Sequence, residues 1–106
     1  MREKLDEMVK EHDLINRSFL YFWDAYDDYL VDDITKDEAR ELNLVDRDSV
    51  ELNLYGYSYC VTERYESDII RVNIDAYYKG TYKQIIEYAC LFNLNGECID
   101  DYFATV

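Results

Sequence analysis

The sequence has no proline and contains only three glycines, three cysteines and one histidine. An odd number of cysteines without a Cys-x-x-Cys pair argues against both a disulfide framework and a zinc site. We therefore expect Cys60, Cys90 and Cys98 to be reduced and buried as small apolar side chains.

The chain also lacks internal repeats, low-complexity stretches and linkers. Its 106 residues are enough for one hydrophobic core, and 16% aromatic content argues against disorder. A single domain over residues 1–106 is predicted, with a helical part in 1–45 and an antiparallel sheet in 46–106.

Catalysis and cofactor binding find little support among the side chains. His12 is the only histidine and falls in an apolar stripe, so a serine or cysteine nucleophile would have only this one imidazole as base. Asp46 and Asp48 resemble the start of a calcium loop, but Val50 and Glu51 occupy the next ligand and glycine positions. With no glycine-rich phosphate loop either, we expect no enzymatic activity, no catalytic residues, no metal site and no cofactor.

Long apolar runs are missing as well. None approaches the roughly 18 residues that span a bilayer, and the charged stretch from Arg2 to Glu7 stands where a signal peptide would be apolar. The sequence therefore predicts a cytoplasmic protein without a membrane partner.

Basic residues are scarce, and this is the outlying property of the composition. Eleven Lys and Arg face 24 Asp and Glu, which gives a net charge of −13. Such a field repels nucleic acids and anionic membranes and attracts basic surfaces. We expect a basic protein as partner and no direct contact with nucleic acid.

The apolar pattern predicts helices first and strands afterwards. A 3.6-residue apolar period from Leu5 to about Val31 predicts one long amphipathic helix. A short second helix to about Asn43 follows, and Thr35 with Glu38 has the spacing of a capping box.

Alternating apolar residues then predict four antiparallel strands. Val50, Leu52 and Leu54 face inward, and Gly56 marks a bulge after which Tyr57 and the alternate residues that follow it take the inward positions. The fold class is α+β, with a long N-terminal helix and a short second helix packed on a four-stranded antiparallel sheet.

Asn95 and Gly96 indicate the last hairpin, because both residues tolerate the positive φ of a type I′ turn. A two-residue loop fixes the pairing of the two strands around it. It predicts the pairs Leu94 with Glu97, Phe92 with Ile99, Cys90 with Asp101 and Tyr88 with Phe103. This register disfavours a disulfide within the hairpin.

Negative charge is concentrated in residues 24–51, which hold eleven acidic and three basic side chains. Such a run is often only a solvated helix face. Asp24, Asp28 and Asp32 nevertheless repeat every four residues, at a spacing similar in scale to that of nucleic-acid phosphates, and like charges so placed cost helix stability. The candidate partner-binding carboxylates are Asp24, Asp27, Asp28, Asp32, Asp33, Asp37, Glu38 and Glu41.

Tyrosine is the second unusual feature, with twelve residues. Tyrosine is enriched at interfaces because it offers a large contact area with little entropy to lose, although it also favours strands for their own sake. Tyr57, Tyr59 and Tyr77 are therefore added to the candidate partner-binding residues. Some of the twelve must lie on the outer sheet face, and the wider set of candidates for that face also includes Tyr55, Tyr65, Tyr78, Tyr82 and Tyr102.

In overall character, with the acidic residues of 24–41 as its main feature, the chain resembles small phage-encoded inhibitors such as the anti-CRISPR proteins. This resemblance implies an acidic inhibitor, working in a bacterial host cell, that blocks a basic nucleic-acid-binding surface of a nuclease effector. An immunity protein against a nuclease toxin would use the same electrostatics.

The last 35 residues, with Leu91 to Ile99 followed by Tyr102 and Phe103, are similar to the terminal hairpin of NTF2-like domains. That resemblance implies a small-molecule pocket between helix and sheet. A third interpretation is a structural subunit whose tyrosine-rich sheet face forms a homodimer.

Overall fold

The computed structural model describes residues 2–65 and 67–106. The helices cover one face of a single antiparallel sheet whose strands follow one another in chain order, which confirms the α+β class and the four-stranded meander. None of the helices in this part of the chain is long and apolar enough to cross a membrane. The elements are α1 (Arg2–Glu11), α2 (Leu14–Val31), α3 (Lys36–Glu41), a 3₁₀ turn (Arg47–Ser49), β1 (Val50–Cys60), β2 (Ile69–Tyr78), β3 (Gln84–Asn93) and β4 (Cys98–Thr105).

The prediction of one long N-terminal helix is wrong, because the helix breaks at Asp13, whose φ is 52°. The Arg17 guanidinium holds the break by donating to the carbonyl of His12 at 3.2 Å and to that of Gly96, in the β3–β4 turn, at 2.7 Å. Aspartate tolerates the left-handed conformation. Apolar spacing did not reveal the break, since Val9 before it and Leu14 after it are both buried in the same core.

The start of α3 also differs from its prediction. The Thr35 hydroxyl donates to the carbonyl of Tyr29 at 2.8 Å, and Glu38 accepts from the Thr105 hydroxyl at 2.9 Å, so no capping box forms. Both side chains are used for tertiary contacts instead. The helix ends at Glu41, and Asn43 follows with a φ of 62°.

The bulge predicted in β1 is confirmed by a register shift between Leu54 and Gly56. Tyr55 is the extra residue, and it is 77% exposed. Because the bulge reverses the alternation, Leu54 opposite Ile74 and Tyr57 opposite Val72 both face the helices.

The last hairpin has the predicted register over most of its length but a different turn. Tyr88 with Phe103 and Cys90 with Asp101 pair as predicted, whereas Phe92 pairs with Cys98. Asn93 and Glu97 close a three-residue loop in which Gly96 alone has positive φ. A bulge at Ile99 restores the register that a two-residue loop would have set.

The three cysteines are free, and only Cys90 is buried, so the expectation that all three are buried is wrong. Cys98 is exposed and Cys60 is intermediate. Burial raises the pKa of the Cys90 thiol to about 11.

Aromatic rings fill the space between α2 and the covered face of the sheet. The Phe22 ring lies 5.3 Å from Trp23, 5.8 Å from Tyr26, 5.4 Å from Tyr88 and 6.0 Å from Phe103, measured between centroids. Edge-to-face and offset arrangements of this kind add to the apolar burial of the core.

Two buried tyrosines on α2 allow a matched test of this core. The Tyr26 hydroxyl donates to the carbonyl of Asp46 at 2.7 Å, whereas the Tyr29 hydroxyl has no hydrogen-bond partner among the described residues. We expect Tyr26→Phe to lower the free energy of unfolding by about 1 kcal/mol and Tyr29→Phe to leave it unchanged or raise it. Urea denaturation of both variants tests this, and equal losses would contradict the assignment of the hydrogen bond.

Candidate partner-binding surface

The eight candidate carboxylates separate into groups. Asp24 and Asp28 form an exposed pair on α2, about 6 Å apart along the helix axis. Asp32 follows as the C-cap, and its carboxylate accepts the backbone N–H of Ile34 at 2.8 Å. In the predicted row, Asp32 therefore has a capping role, and only Asp24 and Asp28 are exposed without such a role.

Two of the carboxylates are paired with cations. Asp27 accepts two hydrogen bonds from Arg47, at 2.6 Å from Nη2 and 3.1 Å from Nε, and the guanidinium lies 5.2 Å from the Trp23 ring. The Arg47 hydrogen bonds hold the pKa of Asp27 below its usual range. Asp33 is paired with Lys36 at 3.0 Å. These two carboxylates are already compensated.

The remaining candidates lie on α3. Asp37 and Glu41 are exposed at four-residue spacing, and Glu38 accepts from Thr105 of β4. With only six residues, α3 presents a small surface. These three side chains can only extend the surface formed by the α2 pair, and the site is centred on Asp24 and Asp28.

Asp24 and Asp28 face β4 across an open groove. The Asp101 carboxylate lies in this groove and accepts the Tyr88 hydroxyl at 2.8 Å. No Lys, Arg or His is among its lining residues in the described chain. The groove is lined by Tyr21, Asp24, Ala25, Asp28, Cys98, Ile99, Asp100, Asp101 and Phe103.

Asp101 was missed as a site residue, although the sequence contained a signal for it. The predicted pairing of Cys90 with Asp101 puts both side chains on the helix-covered face of the sheet, because residues directly opposite share a face. An aspartate on that face of an edge strand has to lie at the border of the helix layer. The register therefore could have joined Asp101 to the acidic surface of α2.

The candidate tyrosines also separate. Tyr57 donates to Asp6 at 2.6 Å and Tyr59 to Asp68 at 2.7 Å, and both pack against the core on the helix-covered side. Tyr78 likewise donates to the carbonyl of Leu42. These three candidates therefore do not lie on the outer face, because the β1 bulge and the parity of β2 turn them inward. Tyr77 lies on the uncovered face, opposite Glu51.

No protein-family model, curated protein or solved structure matches this chain.

Proposed function

We propose that the protein is an acidic inhibitor that blocks a basic nucleic-acid-binding surface of a nuclease effector, in the manner of anti-CRISPR proteins. Its contact surface is the groove between α2 and β4. The observation that carries the proposal is that Asp24, Asp28 and Asp101, from two separate elements, line one open groove without a basic side chain.

This arrangement of carboxylates is electrostatically unfavourable in the isolated protein and favourable in contact with a basic partner. Unpaired carboxylates gathered on one surface repel one another, and a cationic partner relieves this repulsion. The net charge of −13 adds a long-range field that accelerates encounter with basic surfaces and opposes binding to nucleic acid itself.

Apolar side chains within the groove add contact area to the charge. Ile99 is an exposed apolar residue of the edge strand, and Phe103 lies at the groove floor beside the α2 core. An interface that combines a few apolar anchors with charged groups at its border is typical of specific protein complexes.

The groove supports an immunity protein equally through its charge, but the packed core does not support an NTF2-like ligand-binding domain. An immunity protein would use the same groove and differ only in its partner, a toxin nuclease. The rings of Phe22, Tyr26, Tyr88 and Phe103 occupy the space in which an NTF2-like domain would hold its ligand. We therefore propose a role in protein binding and no enzymatic activity.

The proposal is tested by competition with a labelled nucleic acid. Purified nucleases with basic substrate grooves, both CRISPR effectors and toxin nuclease domains, are incubated with fluorescent DNA or RNA and increasing amounts of this protein. We expect the fluorescence anisotropy to fall for at least one nuclease, and to fall less as the salt concentration rises. Anisotropy unchanged across all of these nucleases at low salt would contradict the proposed inhibition.

A further inference from the structure

One face of the sheet is left uncovered by the helices. Each strand contributes one carboxylate to it, whereas Arg71 is the only strand cation on this face in the described residues. Aromatic rings accompany these charges, including the exposed Tyr55 and the half-buried Tyr77. The four carboxylates are Glu51, Asp75, Glu87 and Asp100.

The centre of this open sheet face is a cleft of about 330 Å³. Ala89 and Ala104 lie low on neighbouring strands, while Tyr55 and Tyr102 are taller side chains along the same cleft. Small residues between larger ones leave room for an inserted side chain. The volume is at the lower end of the range for small-ligand pockets, which begins at about 300 Å³.

Two carboxylates meet inside the cleft. Asp75 and Glu87 are directly opposite on β2 and β3, where like charges are unfavourable. Partial burial, followed by the charge of Glu87, raises the pKa of Asp75. The Gln84 amide donates to Asp75 at 3.0 Å, but no ion pair with either carboxylate is present within residues 2–65 and 67–106.

We propose that the open sheet face is a second docking surface, for a basic protein segment that inserts one arginine side chain into the cleft. The guanidinium pairs with Asp75 and Glu87 and stacks against Tyr55 or Tyr102. A planar guanidinium can bridge two carboxylates and lie flat on an aromatic ring, whereas an ammonium group does so less well.

Charge complementarity selects this occupant over two others. A nucleic acid would bring phosphates against the four carboxylates of the face. A second copy of the chain would bring four more carboxylates and only Arg71 to oppose them. This docking surface lies on the opposite side of the sheet from the α2–β4 groove and shares only Asp100 of the edge strand β4 with it, so it does not depend on the inhibitor proposal.

The first test uses a small arginine probe. N-acetyl-arginine methylamide is titrated into the ¹⁵N-labelled protein and compared with its citrulline analogue, in which a neutral urea replaces the guanidinium. A probe of this size should bind with a dissociation constant on the order of millimolar. We expect the amides of Asp75, Glu87 and Ala89 to shift with the arginine probe and the citrulline probe to bind at least about tenfold more weakly.

Variants then locate the binding. Asp75→Asn and Glu87→Gln should each weaken the arginine probe about tenfold, and Glu7→Gln on the exposed face of α1 should leave its binding unchanged. Equal affinity for arginine and citrulline, or shifts confined to α2, would overturn the proposal. Sedimentation velocity tests for a second copy of the chain as the occupant. A wild-type dimer that dissociates in the Asp75→Asn variant would identify that second copy and would also overturn the proposal.

The urea midpoint of unfolding distinguishes a binding role of Asp75 from a purely structural role. Because its folded-state pKa is raised, Asp75 costs stability once the pH is above that pKa, and the cost disappears as the pH falls below the unfolded-state value. The other strand charges on the same face are Glu87 across the pair, Arg71 along β2, Glu51 on β1 and Asp100 on β4. Asp75→Asn should therefore raise the urea midpoint at pH 7 while it weakens the probe. A lowered midpoint would assign Asp75 a structural role.

Discussion

Replacing Asp24 and Asp28 by lysine should weaken binding to a basic nuclease by about tenfold to a hundredfold. An exposed charge pair contributes about 0.5 kcal/mol, and reversal replaces that attraction with repulsion of similar size, so the two reversals together cost about 2 kcal/mol. The measurement is the concentration of protein that displaces half of the labelled nucleic acid from the nuclease. Both side chains are exposed on α2, so the fold should tolerate the change.

A matched control separates the local surface from the net charge. Glu3 and Glu7 are exposed on α1 at the same four-residue spacing, so Glu3→Lys with Glu7→Lys makes an equal change of charge elsewhere. We expect this pair to have a small effect through the long-range field alone. Equal losses from the two double variants would show that net charge is sufficient and that the groove has no special role.

Asp101 needs a milder substitution, because its carboxylate accepts the hydroxyl of buried Tyr88. Asp101→Asn removes the charge and keeps an acceptor oxygen for Tyr88. We expect it to weaken displacement of the nucleic acid by several-fold, and to add to the effect of the α2 pair. An unchanged displacement curve would confine the contact surface to α2.

Gly96→Ala should lower the free energy of unfolding by about 3 kcal/mol. Gly96 has a φ of 82°, and an added Cβ would lie 2.5 Å from Nδ1 and 2.6 Å from Cγ of His12. The left-handed conformation alone accounts for about 1–2 kcal/mol of this cost. The overlap with the imidazole accounts for the remainder, and urea denaturation measures the sum.

Gly80→Ala is the matched control, because Gly80 has a φ of 73° and no atom lies within 4 Å of the added Cβ. It should cost only the conformational part, about 1–2 kcal/mol. In a His12→Ala background, Gly96→Ala should then cost only slightly more than Gly80→Ala, because the Cβ of residue 12, 3.0 Å from the added Cβ, is the one close contact that remains. If the full cost persisted without the imidazole, the packing of the helix break on the β3–β4 turn would not be its source.

Much of the fold was predictable because its signals are local. The alternation of apolar residues and the Gly56 bulge specify which side of β1 is buried, and they hold in the structure. Asn95 and Gly96 located the final hairpin, although the loop has three residues and Ile99 bulges in compensation. Turn position depends on the residues at the turn, but turn length also depends on what packs against it.

The candidate site was predictable only in part. Asp24 and Asp28 are an exposed pair because their helix buries the opposite side, which the 3.6-residue period shows. The compensation of Asp27 by Arg47 was not foreseen, because twenty residues separate the two and the pairing requires the turn after α3 to return to α2. Residue spacing cannot identify which carboxylates of a run are already neutralised.

By itself, the sequence determined the order of helices and strands, the inward face of most elements and the strong negative charge, since these follow from residue type and local period. The tertiary structure decided where the first helix breaks and that Asp101 joins Asp24 and Asp28. It also decided that Asp75 meets Glu87 on an uncovered sheet. Each of these depends on segments far apart in the chain, and their contacts are set by how the layers pack and not by any local preference.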